Sequence, residues 1–287
     1  MIDTRKIDLH VHSTFSDGTY TPEQLVDTAL AAGLSAIAIT DHDTTDGIPF
    51  AKAAALNTEL EIIPGVELSC EYKEKEVHML GFYLNETNPI LLEYLRRFQL
   101  SRSSRNQQMV NLLAAEGLDI TYEKLLADNP DCVITRANIA RYLVDHGCVK
   151  DMATVFSKYI GDDCCCFVPR EKVTPEQAIQ LIHEAGGVAF LAHPLLYHMS
   201  TITLQNLVSE LASVGLDGIE AIYSTYQPGD ERNMKDLANE HHLLISGGSD
   251  FHGTNKPFIR LGTGMGHLFI PYEVLTNIKK AVANQSL

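Results

Sequence analysis

Near its start the chain reads Ile7-Asp8-Leu9-His10-Val11-His12, apolar residues alternating with one carboxylate and two imidazoles. Side chains of a strand alternate between its faces, so a strand here puts His10 and His12 on one side. Two imidazoles so placed can share a divalent ion. A chance pair or a tag is the plain alternative, and it fits poorly inside an apolar alternation. Further His, Asp and Glu residues recur in one kind of place, the end of an apolar run. Residues 36–40 run into Asp41-His42-Asp43, residues 62–66 into Glu67, residues 188–192 into His193-Pro194, and residues 243–246 into a glycine-rich stretch ending in Asp250 and His252. His78 lies within the short run 77–83. Singly, each could be a satisfied core histidine or a turn aspartate. Pointed together into one barrel mouth, such groups cost several kcal/mol each unless paired or metal-bound.

These side chains need elements that gather strand ends on one face, which a parallel α/β barrel does. Strand patterns at 7–12, 35–40, 61–69, 76–84, 188–193, 217–223 and 243–248 alternate with helical ones, predicting an α/β fold, a distorted barrel of about seven strands. Thr21-Pro22-Glu23 and Thr174-Pro175-Glu176 each open a helix with a capping residue and a proline, and Gly33 and Gly186-Gly187 close those helices. Other helices are expected at 47–57, 203–214, 229–241 and 272–284. Residues 88–170 break the rhythm, with helices at 89–116, 121–128, 136–147 and 151–160. They read as a small helical domain, a substrate lid, inserted into a barrel of residues 1–87 and 171–287.

The ordered set His10-x-His12, Asp17, Thr40-Asp41-His42, Gly65-Val66-Glu67, His78, Ala192-His193-Pro194 and Ser249-Asp250-x-His252 resembles the PHP (polymerase and histidinol phosphatase) family of metal-dependent phosphoesterases. The match runs from about residue 5 to residue 265, and the insertion resembles that of a bacterial branch holding RNase AM type enzymes and nucleoside 3′,5′-bisphosphate phosphatases. The resemblance implies a (β/α)7 PHP barrel and three divalent ions per chain, Mn, Fe or Zn. It puts the first ion on His10, His12, Glu67 and Asp250, the second on Glu67, His78 and His193, and the third on Asp17, His42 and His252. Among these, His193, Asp250 and His252 are the expected catalytic residues. A water between close ions loses a proton near neutral pH and becomes the nucleophile. Imidazole and carboxylate without thiolate suit such ions. Asp8, Asp41 and Asp43 read as residues that orient the ligands.

A phosphate needs cations. Arg102 and Arg105 are three residues apart, so they share a helix face and can clamp a phosphate with paired hydrogen bonds. The spacing alone equally fits a solvated basic face; the resemblance favours the clamp. Thr135 can cap a helix that Arg136 begins, where free N–H groups favour anions. The branch more often has Pro-His where this chain has Ala137-Asn138. Lys158 and His198 are further candidates for substrate contact.

Composition sets bounds. The 287 residues carry a formal net charge of −15, which argues against broad binding to long nucleic acid. An acidic shell can still hold a small basic pocket. No apolar run nears the ~18 residues that span a membrane, and no secretory pattern opens the chain, so a cytoplasmic location is expected. The six cysteines include no CxxC pair and read as reduced thiols, with Cys164-Cys165-Cys166 in a half-buried, strand-like segment. The expected activity is phosphoester hydrolysis on a nucleoside 3′,5′-bisphosphate or short 5′-phosphorylated RNA. The alternatives are a histidinol-phosphate phosphatase and a non-catalytic metal-binding domain. An amidohydrolase acting on C–N bonds is disfavoured by the ligand order. The sequence leaves the oligomeric state open.

Overall fold

The computed structural model describes residues 4–130, 132–169 and 173–285. Seven strands form one sheet in chain order: β1 Lys6–Val11, β2 Leu34–Ile39, β3 Glu61–Tyr72, β4 Lys75–Phe82, β5 Val188–Leu191, β6 Gly218–Tyr223 and β7 Leu244–Gly248. The sheet curls into a nearly closed barrel. The His12 N–H donates to the Phe251 carbonyl at 3.0 Å and the Phe251 N–H to the His10 carbonyl at 3.3 Å, joining the end of β7 to β1. Gly248 permits that approach, because a Cβ there would stand 2.1 Å from the His10 Cβ. Ile7, Leu9, Ala36, Ile63, Phe82 and Phe190 fill a core with no measurable exposure beyond 1%.

Around the barrel lie α1 Pro22–Ala31, α2 Ile48–Ala55, and, after the insertion, α7 Pro175–Glu184, α8 Thr201–Ser213, α9 Pro228–Glu240 and α10 Tyr272–Gln285. The insertion itself contributes α3 Pro89–Ala115, α4 Tyr122–Asp128, α5 Arg136–Asp145 and α6 Met152–Val155, the last running into a π-helical turn, Phe156–Ile160. Thr21 and Thr174 cap α1 and α7, as the Thr-Pro-Glu openings predicted, and the caps are reciprocal boxes with Gln24 and Gln177.

Two details depart from the sequence reading. The βα rhythm fails at β3 and β4, which form a hairpin through Lys73 and Glu74, both at positive φ. β4 is therefore antiparallel to both β3 and β5, while the other neighbours are parallel. This reversal brings His78, near the start of β4, to the end of the barrel where the parallel strands finish. Second, Cys164–Cys166 is not strand-like. It forms a turn beneath the π-helical segment, with the Cys166 N–H on the Tyr159 carbonyl at 2.9 Å.

The insertion has its own core of Met109, Val110, Leu113, Leu125, Ile139 and Leu143. Yet α3 belongs to both bodies, since Leu91 and Leu95 pack with Val66 and Leu68 of the barrel. The expected domain boundary at 170/171 lies outside the described residues.

Candidate metal centre

Glu67, on β3, is 1% exposed and is surrounded by five imidazoles. Its Oε2 lies 3.3 Å from His10 Nε2, 3.2 Å from His12 Nε2 and 3.1 Å from His42 Nδ1. Its Oε1 lies 2.8 Å from His78 Nδ1 and 3.0 Å from His193 Nε2. The Asp250 Oδ1 stands 3.4 Å from His12 Nε2 and 3.3 Å from His252 Nδ1. Asp17 reaches His252 Nε2 at 3.2 Å and His42 Nε2 at 3.8 Å. All nine residues singled out as ligands thus meet at one barrel mouth. Three groups within it have donor atoms close enough for one ion each: His12, Asp17, His42 and His252; His10, His12 and Glu67; His42, Glu67 and His78.

The donor set fits divalent ions. His10 Nε2, His12 Nε2, His42 Nδ1 and Asp17 Oδ1 are buried without a hydrogen-bond partner. Such groups are costly to bury unsatisfied, and divalent ions held in these groups would satisfy them. The charge balance agrees. Burial pushes His12 and His78 down, but the surrounding carboxylates, Glu67 above all for His78 and Asp250 with Glu67 for His12, outweigh it and lift both to about 9. His10 is raised well above its ordinary value against the same burial, chiefly by Glu220 and Glu67. Burial wins at His42, which falls to about 3. Glu67 is held well below the usual carboxylate range: burial pushes it up, and His42, His10 and His78 more than reverse that.

An outer layer holds the ring in place. Glu220, on β6 and wholly buried, faces His10 Nδ1 at 3.0 Å and accepts the His193 N–H at 2.8 Å. Sequence reading missed it, although a lone carboxylate inside the apolar run 218–223 was the available signal. Asp41 accepts from Ser13 N–H at 2.7 Å and from the Ser13 and Ser16 hydroxyls at 2.6 Å, fixing the loop after β1. Asp8 accepts from Ser249 N–H at 2.8 Å and Gly262 N–H at 2.7 Å, tying β1 to the loop that carries Asp250. Tyr223 donates to Asp250 Oδ2 at 2.6 Å, and Lys256 pairs with the same oxygen. His193 and Asp250 both sit at positive φ, as does Asp43. Non-glycine residues in that region cost free energy and persist where surrounding structure enforces them, often at functional sites.

A cavity of about 210 Å³ opens off the ring, lined by Asp17, His42 and His78 from the barrel and by Arg102, Arg105, Thr135 and Arg136 from the insertion. Arg102 and Arg105 share the buried face of α3, as their spacing predicted, each 6% exposed. They arrive differently engaged. Arg102 is paired with the buried Asp43 and donates to Ser69 Oγ at 3.0 Å. Arg105 donates to Asn106 Oδ1 at 2.9 Å. Arg136 reaches Asp162 at 2.6 Å and Glu76 at 3.3 Å. Two expected contacts stand elsewhere. Lys158 is exposed on the π-helical turn, its ammonium over the Tyr159 ring, and does not line the cavity. His198 is exposed at the left-handed end of the Pro194–Tyr197 turn. That turn points Tyr197 inward instead, where its hydroxyl meets the His78 N–H at 3.0 Å.

A barrel whose mouth gathers imidazoles about shared carboxylates, with cations facing them, defines the class of hydrolases built on clustered divalent ions. Comparison with known proteins gives that class its family. The PHP domain family model matches residues 8–159, and the chain belongs to this family. It is 37% identical over 257 residues to the 5′-3′ exoribonuclease Rnm of Escherichia coli, covering 89% of this chain and 87% of that one. It is 35% identical over 263 residues to the 3′,5′-nucleoside bisphosphate phosphatase of Chromobacterium violaceum, covering 91% and 90%. A solved structure of an amidohydrolase from Chromobacterium violaceum, with bound sulfate and no metal, superposes with a TM-score of 0.86 at 33% identity, over 98% of this chain and 96% of that one.

Proposed function

We propose that this metal-dependent phosphoesterase hydrolyses phosphate esters of small nucleotides, either a nucleoside 3′,5′-bisphosphate or short 5′-phosphorylated RNA. The protein is a hydrolase of phosphate esters, as are the exoribonuclease and the phosphatase it is similar to. The observation that carries the substrate reading is that Arg105 and Arg136 line the same cavity as His42 and His78. A phosphate entering there would meet both guanidinium donors and residues of the imidazole cluster. At about 210 Å³ the cavity is smaller than the ~300 Å³ at which pockets begin to enclose a whole small ligand, so it takes the phosphate and leaves the nucleoside outside. A seat that encloses only the terminal phosphate serves a mononucleotide and a short oligonucleotide alike.

Divalent ions bound by the ring would supply an activated water and offset charge on the phosphate oxygens. The chain's own residues do the rest. Glu67 and Asp250 gather the imidazoles, and Glu220 holds His10 so that its Nε2 faces inward. Arg105 and Arg136 orient the phosphate and stabilise the charge that builds on it. Arg102 keeps Asp43 and the adjoining His42 in register. Metal identity, the number of ions and a cytoplasmic location belong to the same proposal.

The test is release of phosphate or nucleotide by Mn-reconstituted protein from adenosine 3′,5′-bisphosphate, AMP, short 5′-phosphorylated RNA and histidinol phosphate. Turnover of the bisphosphate or the RNA, with little of histidinol phosphate, is expected. Turnover of histidinol phosphate alone would overturn the nucleotide reading. No turnover of any ester with the ions bound would make the domain a non-catalytic metal binder.

A further inference from the structure

We propose that Thr135, in the insertion, is a positioning residue for the metal group of His12, Asp17, His42 and His252, so that the insertion completes one particular ion site of the barrel. The inference rests on the metal-centre reading above.

Thr135 caps α5. Its hydroxyl accepts from the Ala137 N–H at 3.1 Å and the Asn138 N–H at 3.4 Å. A hydroxyl has two lone pairs and one proton. The lone pairs serve the helix, and the proton lies 3.1 Å from Asp17 Oδ2 by heavy-atom distance. Asn138 Oδ1 is also near, at 2.9 Å, but it already receives the Thr135 N–H at 2.8 Å, and an ionised carboxylate is the stronger acceptor. With Oδ2 held by Thr135, the other oxygen of Asp17 is turned inward. Oδ1 is buried, has no hydrogen-bond partner and faces His252 Nε2 at 3.2 Å and His12 Nδ1 at 3.7 Å. Its position is that of a ligand atom aimed by the bond its twin oxygen makes.

The surrounding backbone repeats the arrangement. Val133 N–H donates to the Phe15 carbonyl at 2.9 Å and Asn138 Nδ2 to the Ser16 carbonyl at 3.4 Å, so the loop carrying Asp17 is fastened to the insertion before and at the cap. On the other side, Gln99 Nε2 donates to the Asp43 carbonyl at 3.1 Å and Arg102 pairs with its carboxylate, fastening the loop that carries His42. Both loops that bring Asp17 and His42 are therefore held from the insertion as well as by barrel residues such as Asp41. His10 and His193 differ: both are held by Glu220, within the barrel.

The test is Mn binding to the chelator-stripped full chain, by equilibrium dialysis with elemental analysis. The parent, Asp17→Ala, Thr135→Val, Thr135→Gly and Thr135→Ser are compared. Asp17→Ala identifies the ion concerned by losing it. Thr135→Val keeps the shape without the hydroxyl, Thr135→Gly keeps an acceptable cap, and Thr135→Ser restores the hydroxyl. Both hydroxyl-less variants should bind that ion about 10- to 100-fold more weakly, with the remaining ions unchanged, and Thr135→Ser should recover most of the affinity. Parent-like binding by Thr135→Val or Thr135→Gly, alongside loss of an ion in Asp17→Ala, overturns the inference and leaves the metal centre standing. If Asp17→Ala binds like the parent, or the parent takes up no Mn, the metal reading of this group fails and takes the inference with it.

Discussion

Glu220 Oε1 lies 3.0 Å from Nδ1 of His10, both side chains wholly buried and 210 residues apart in sequence. A carboxylate on Nδ1 keeps the proton there and leaves the lone pair on Nε2, the atom that faces Glu67 and Asp250. Replacing Glu220 by Gln retains volume but lets the amide present a donor to His10, and it disturbs the His193 N–H contact as well. The variant should fold and bind Mn about 10- to 100-fold more weakly. Circular dichroism with a metal titration checks both halves of that statement. His10→Ala and Asp250→Ala, which remove atoms of the proposed ligand set, should lose activity altogether together with bound metal.

Arg102 and Arg105 share a helix face but differ in what their guanidinium groups meet. Arg102→Ala would remove the guanidinium from the buried Asp43 carboxylate, which keeps the Ser69 N–H at 3.0 Å, and breaking a buried pair from one side costs about 3–5 kcal/mol. Denaturant unfolding should show that loss. Arg105 lines the cavity beside Arg136, and the effect of Arg105→Ala should fall on substrate: KM rises more than metal content drops. Loss of metal at unchanged KM in Arg105→Ala would remove it from the phosphate seat.

His42, Glu67, His193, Asp250 and His252 stood out in the sequence because they follow apolar runs, and strand ends are where a barrel collects its chemistry. The caps at Thr21, Thr135 and Thr174 were legible because a cap is a local event within four residues. What escaped was non-local. The reversal of β4 depends on a two-residue hairpin that no helix separates from β3, and a βα rhythm offers no warning of it. Glu220 acts on residues 210 and 27 positions away, so its role appears only once β6 lies beside β5 and across from β1. The pairing of Arg102 with Asp43, 59 residues apart, is likewise non-local, and the two-arginine spacing alone does not announce it. The positive φ values at His193 and Asp250 follow from how the loops are enforced, which residue type alone does not encode.

Protonation of the ring gives the metal a pH dependence whose sign is fixed. Burial alone would lower His12 and His78, yet the carboxylates lift both to about 9, above the ordinary 6.5. A raised group contributes stability that is fully present below its unfolded value and is lost as pH climbs through its folded value. Chelator-treated protein should therefore lose thermal stability progressively from about pH 6.5 to about pH 9. Ligation needs neutral imidazoles, so Mn loading releases protons in this window and competes with them less as pH rises. A bound ion stabilises the folded state in proportion to the logarithm of its occupancy ratio, so the gap in Tm between Mn-loaded and stripped protein should widen with pH. Melting curves of both forms in steps across the window, with proton release followed in weak buffer, provide the check. A gap that stays flat or narrows toward pH 9 would show that the carboxylates around Glu67 do not hold these imidazoles protonated.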